Sequence, residues 1–206
     1  MIISWLGEAG IRLQTKETVV LIDPPAASTG LKPTRQTAQI VALTETDGRD
    51  AKSVGGEPFM ITSPGEYERQ NVFVYGIQLP NDSGRTHFRI EAEELSIGHL
   101  GSIEGTLENE QIAQFEGVDI LFVPVGGKSV VDAEAAVKLV SQIEPRIVIP
   151  IQYKFQGSTA VYADVASFLK ELGGKGSEPT EKYKIVKKDL PADETQVVVL
   201  TLSHGA

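Results

Sequence analysis

Cysteine is missing from this 206-residue chain, and its absence removes disulfides, thiolate zinc sites, iron–sulfur clusters and cysteine nucleophiles together. Any metal must therefore be held by His, Asp or Glu. No apolar run approaches membrane-spanning length, and the start, Met1 to Gly7, has neither a basic opening nor a small-residue cleavage site. A cytoplasmic location without membrane association is expected. Basic residues are also outnumbered, 19 against 28 acidic, and the net charge of −9 repels phosphate backbones. The densest basic stretch, Lys184, Lys187 and Lys188, lies close to Glu181 and Asp189 and reads as a solvated face. Nucleic acid is not expected as a partner.

What is present describes a soluble globular protein, with 41% hydrophobic and 23% charged residues. The length suffices to bury a sizeable core, so one domain spanning residues 1–206 is expected. The first half reads as short strands broken by turn residues: Ile2 to Leu6, Ile11 to Gln14, Val19 to Ile22, Ile40 to Leu43, Phe59 to Thr62 and Val72 to Ile77. A mostly antiparallel meander is predicted for them. A hairpin around Asn81 to Gly84 then joins strands at Thr86 to Ile90 and Glu94 to Ile97, ahead of a short helix near Glu108 to Phe115.

The pattern then changes. Ile120 to Val123 and Arg146 to Ile151 are apolar, buried-type strands, and between them Asp132 can cap a helix running to about Ile143. A further helix is predicted from about Tyr162 to Leu172, with Val165, Phe168, Leu169 and Leu172 at core spacing, and Gly173-Gly174 ends it. Tyr183 to Val186 and Val197 to Leu202 read as closing strands. Strands first, then alternating strands and helices, imply an α/β domain.

Several fragments carry a resemblance to a known family. Ile3-Ser4-Trp5-Leu6-Gly7-Glu8-Ala9-Gly10, followed by Val19 to Pro24, resembles the opening of metallo-β-lactamase-fold hydrolases of the ascorbate-phosphate lactonase-like branch, whose usual form is W-L-G-H-A and then L-I-D-P. Leu43 to Asp50, Pro64 to Glu68, Gly98 to Ser102, Val123 to Gly127 and Ile149 to Tyr153 follow in family order. The resemblance implies an αββα sandwich, two mixed sheets with helices on their outer faces.

The same resemblance marks where the chemistry departs from the family. Zinc is held there by a loop of the form L-T-H-x-H-x-D-H, because imidazole and carboxylate meet the ion's four-coordinate demand. In this chain those positions are Glu45, Asp47, Arg49 and Asp50. The later H-L-G-D pattern keeps His99 but has Ser102 in place of its aspartate. Gln152 replaces the histidine of I-P-M-H-Y, and Glu8 replaces that of G-H-A. Asp23 stands at the position that in the family supports the metal loop from behind.

Three readings of the altered loop stay open. Glu45, Asp47 and Asp50, with His99, could form an oxygen-rich site for Mg or Mn, although a guanidinium at Arg49 would compete with a divalent ion. Arg49 could instead replace the missing metal charge by pairing with Asp47, Asp50 or Glu45, and this is the preferred reading. In the third, His99 acts as acid or base, oriented by Glu66 or Asp23. His87 and His204 are read as solvent-facing. Gly126-Gly127-Lys128-Ser129 lacks the first glycine of a phosphate-binding loop, with Phe122 at that position, and reads as a strand-to-helix turn.

The expectation is a hydrolase-like pseudoenzyme without cofactor that binds a small molecule or protein in a cleft. Its candidate residues are Glu8, Asp23, Glu45, Asp47, Arg49, Asp50, Glu66, His99, Ser102 and Gln152. The alternative is a hydrolase of phosphate-bearing or lactone-type small molecules with a carboxylate-rich Mg or Mn site. Homo-oligomerisation is compatible with the resemblance.

Overall fold

The computed structural model describes residues 1–25, 29, 31, 36–45, 54–79, 84–174 and 176–203. Along the chain come β1 (Ile2–Gly7), β2 (Gly10–Gln14), β3 (Val19–Ile22), β4 (Gln36–Thr37), β5 (Ile40–Ala42), β6 (Val54–Gly55) and β7 (Phe59–Ile61). There follow β8 (Gly65–Arg69), β9 (Val72–Ile77), β10 (His87–Ala92), β11 (Leu95–His99) and the short helix α1 (Asn109–Ile112). The last part holds β12 (Ile120–Pro124), α2 (Ala133–Ile143), β13 (Ile147–Ile151), α3 (Val165–Glu171), β14 (Lys182–Lys184) and β15 (Gln196–Val197).

Among the described residues the strands form two large mixed sheets, ordered β14-β1-β2-β3-β5-β7 and β15-β13-β12-β11-β10-β9-β8, with β4 and β6 pairing apart from them. Side-chain alternation explains how the sheets meet. Ile3 and Trp5 of β1, Val20 and Ile22 of β3, and Ile40 and Ala42 of β5 point into a core shared with Phe88 and Ile90 of β10 and Ile97 of β11. Leu6, Leu21 and Val41, one position out of phase, fill a smaller cluster with Leu43 on the other face, against which Val54 packs. Every residue of β12 and of β13 is buried, as suits parallel strands covered on both faces.

The strand–helix–strand expectation holds: β12 and β13 are parallel and α2 connects them. Asp132 caps α2, its side chain accepting the Ala135 amide at 2.9 Å. Ala136, Leu139, Val140 and Ile143 put the inner face of that helix into the common core. The α/β sandwich with mixed sheets is thus the fold. No helix among the described residues is long and apolar enough to cross a membrane.

Three expectations need correction. The first sheet is an antiparallel meander only through β3, after which β5 and β7 add in parallel. Short apolar runs such as Ile40–Ala42 carry no signal of direction. The helix predicted from Tyr162 begins at Val165, because Asp164 is its cap and accepts the Ala166 amide at 2.9 Å. Tyr162 therefore lies in the preceding loop. His87 is not solvent-facing: it is fully buried, and its Nδ1 lies 2.9 Å from the Leu100 carbonyl. The predicted hairpin tip at Asn81 to Ser83, and His204, lie outside the described residues.

Candidate functional site

The altered motif positions fall at turns that follow β1, β3, β5, β11 and β13, where side chains leave the sheets. Glu8 caps the tight β1–β2 turn with φ of 50°. Its carbonyl accepts the Trp5 indole at 2.8 Å and the Gln152 amide at 3.2 Å, tying this turn to the end of β13. Trp5 is itself fixed by stacking on Tyr153, with ring centroids 4.6 Å apart. Asp23, 1% exposed with φ of 45°, ends β3 and holds the start of the motif loop. One of its oxygens accepts the Thr44 amide at 2.8 Å and the other the Thr44 hydroxyl at 2.5 Å. Across from it Gly101, with φ of 54°, lies so close that a Cβ would sit 2.9 Å from the Thr44 methyl, so only glycine fits.

His99 is wholly buried at the end of β11, and both ring nitrogens are engaged by the backbone. The Gly101 amide donates to Nδ1 at 3.1 Å, and Nε2 lies 2.9 Å from the Ala9 carbonyl. An amide only donates and a carbonyl only accepts, so the proton must sit on Nε2. The ring therefore works as a clamp between the end of β11 and the β1–β2 turn. Of the residues expected to orient it, Asp23 accepts from Thr44, and Glu66 stands exposed on β8. There Glu66 lines a separate cavity of about 630 Å³ with Tyr75, Gln78, Glu108 and Gln111.

Glu8, Ser102 and Gln152 do converge, joined by Tyr162. Gln152 is buried with φ of 50°, and its Nε2 donates to Ser102 Oγ at 3.0 Å and to the Tyr162 hydroxyl at 3.3 Å. The Tyr162 hydroxyl interacts in turn with the Glu8 carboxylate and the Ser129 side chain. Burial, reinforced by the Glu8 charge, pushes the Tyr162 phenol up to about 12. Ser158 completes the group, donating from Oγ to Glu8 Oε1 at 2.8 Å. Gly126 makes the approach feasible, since a Cβ there would stand 2.1 Å from the Gln152 carbonyl oxygen and 2.7 Å from the Tyr162 ring.

Glu45 finds a partner that lies outside the motif. Arg85 Nε donates to Glu45 Oε1 at 2.7 Å, and its terminal nitrogen donates to Glu104 Oε1 at 2.6 Å. Arg85 thus bridges the start of the motif loop and the loop after β11. The expected pairing through Arg49 involves Asp47, Arg49 and Asp50, which lie outside the described residues. Sequence reasoning missed Arg85, Tyr162, Ser129 and Ser158. Only Tyr162 had a usable signal, Asp164 two residues later, which places it ahead of a helix cap.

The described donors do not fit zinc. Among the described residues no group of three or more His, Asp or Glu side chains converges as a metal site would. At the positions where the family places ligands, His99 has both nitrogens on backbone groups, while Ser102 and Gln152 offer a hydroxyl and an amide tied to each other. The arrangement can hold a polar ligand by hydrogen bonds, with a carboxylate at one end.

Comparison with known proteins agrees with this architecture. A family model described as β-lactamase superfamily domain matches residues 2–152. A UPF0173 protein of Pyrococcus furiosus is 38% identical over 77 residues, which are 37% of this chain and 33% of that protein. A UPF0173 metal-dependent hydrolase of Staphylothermus marinus is 31% identical over 106 residues, 52% of this chain and 43% of the relative. The chain thus aligns with less than half the length of either curated relative. A Thermotoga maritima structure, assigned to the Zn-dependent hydrolases of the metallo-β-lactamase superfamily, superposes with a TM-score of 0.83 at 23% identity, covering 98% of this chain and 100% of that one. The metallo-β-lactamase fold protein YhfI of Bacillus subtilis gives 0.62 at 8% identity, over 96% and 95% of the two chains. These likenesses establish the fold, and with the family model matching residues 2–152 the chain belongs to the β-lactamase superfamily.

Proposed function

We propose that this superfamily member is a metal-free binding module, which takes a small molecule or a protein partner into the cleft where its relatives place their metal. The observation that carries the reading is His99. A ligand to a metal must present a ring nitrogen to it, and both nitrogens of His99 are already engaged, one donating to Ala9 and the other accepting from Gly101. Around it Ser102 and Gln152 are bonded to each other, and Glu8 is bonded to Ser158. The Asp23–Thr44 link, placed where the family supports its metal loop, then serves to keep the cleft in shape.

Elemental analysis of protein purified without chelator, with melting temperatures measured in zinc, manganese, magnesium and calcium separately, tests this. The expected result is metal well below one ion per chain and no ion-specific rise in melting temperature. Stoichiometric metal, or a rise with one ion alone, would replace this reading with the Mg or Mn hydrolase built on Glu45, Asp47, Asp50 and His99. Hydrolysis of phosphate-bearing or lactone substrates would then be the activity to assay.

A further inference from the structure

The cluster at the end of β13 holds one strong acceptor that the fold does not use. Gln152 is 3% exposed, its amide nitrogen serves Ser102 and Tyr162, and its Oε1 is buried without a hydrogen-bond partner. The orientation of the amide follows from its neighbours. The Tyr162 hydroxyl stands beside the Glu8 carboxylate, which can only accept. The phenol oxygen and Ser102 Oγ accept from the Gln152 nitrogen, at 3.3 and 3.0 Å. An acceptor buried without a partner is costly, and such groups are rare in native proteins.

What would satisfy Oε1 must bring a proton. Close by stand the Glu8 carboxylate and the hydroxyls of Ser129 and Ser158, and no described side chain in contact with this cluster is cationic. A carboxylate and an unpaired carbonyl oxygen favour a group that brings donors. An ammonium has three donors and no acceptor, which matches one carbonyl oxygen, one carboxylate and one hydroxyl oxygen. We propose that Gln152 Oε1 and the Glu8 carboxylate together receive the protonated amine of a small organic ligand, an assignment that rests on the metal-free reading of the same cleft. The ligand class then differs from the phosphate-bearing and lactone substrates of the alternative reading.

The full chain would be titrated with ethylamine, ethanolamine and putrescine, with butanediol as the neutral counterpart and inorganic phosphate as the anion, reading melting temperature and heat of binding. An ammonium probe should raise the melting temperature by about 3–6 °C at tenfold its dissociation constant. Butanediol and phosphate should not. Glu8→Gln should weaken amine binding at least about tenfold, whereas Glu110→Gln, at an exposed position on α1, should leave it unchanged. A response that Glu8→Gln preserves, a response to phosphate, or no response to any amine would overturn the assignment, the last meaning that a buried water alone serves Oε1. Zinc and manganese in the same assay separate the two claims. A metal-specific rise sinks the metal-free reading itself, and silence with both metal and amine sinks only the amine.

Discussion

Two buried polar arrangements lie at neighbouring turns of this molecule and differ in completeness. At the end of β3, both oxygens of Asp23 are taken by Thr44, through an amide and a hydroxyl. At the end of β13, Gln152 uses its nitrogen twice and leaves its oxygen unpaired. Oxygens already bonded within the fold hold shape, because a ligand would first have to break those bonds. An arrangement left open by one acceptor is the one that a ligand could complete. The comparison separates residues that hold the turns from residues that could meet a ligand, although both sets occupy positions the family pattern associates with metal.

The strongest way to break this division is to remove Asp23. Asp23→Ala strands the Thr44 amide and hydroxyl in the interior, and urea unfolding should show a loss of roughly 2–4 kcal/mol. A loss under about 1 kcal/mol would mean that Thr44 finds other partners and that the first arrangement is not what shapes the loop. Arg85→Ala should have a smaller effect. Its bridge between Glu45 and Glu104 is partly open to solvent, so the cost should be at most about 1 kcal/mol and should shrink with added salt. A salt-insensitive loss would instead mark Arg85 as a buried replacement for metal charge.

Tyr162→Phe should matter least at neutral pH and reveal itself in alkali. The phenol is raised from its ordinary value of 10.0 to about 12 in the folded chain. Between those values the unfolded chain gives up its proton while the folded chain keeps it, so stability falls as pH rises through that window. The phenylalanine variant should lack this part of the alkaline fall in an unfolding series, and its phenolate absorbance titration should lack one late component. Identical alkaline limbs for the two proteins would mean that the Tyr162 phenol is not held in the buried setting described.

Much of the architecture was legible in the sequence because burial writes itself into local pattern. The uninterrupted apolar runs at β12 and β13, and Asp132 ahead of an amphipathic stretch, each state a physical requirement within a few residues. β8 was only half visible: Gly65–Arg69 is polar, since it forms the exposed edge of its sheet. The site was legible only as a set of departures from a family pattern, and its contacts were not. Arg85 lies 40 positions from Glu45, and Tyr162 lies 10 from Gln152 across a loop. His87 sits in a polar neighbourhood that gives no hint of its complete burial, which β9, β11 and the Leu100 carbonyl impose from outside.

The left-handed backbone at Glu8, Asp23 and Gln152 also limits what these positions can become. β-branched residues are strained in that conformation, whereas Asn, Asp and His enter it more readily than most. A library drawn at these three sites should thus exclude Val, Ile and Thr before any question of binding arises. Histidine, the residue that the family pattern has at positions 8 and 152, remains conformationally admissible at both. The main chain has kept open a route by which an engineer, or a lineage, could reintroduce imidazole here without rebuilding the turns.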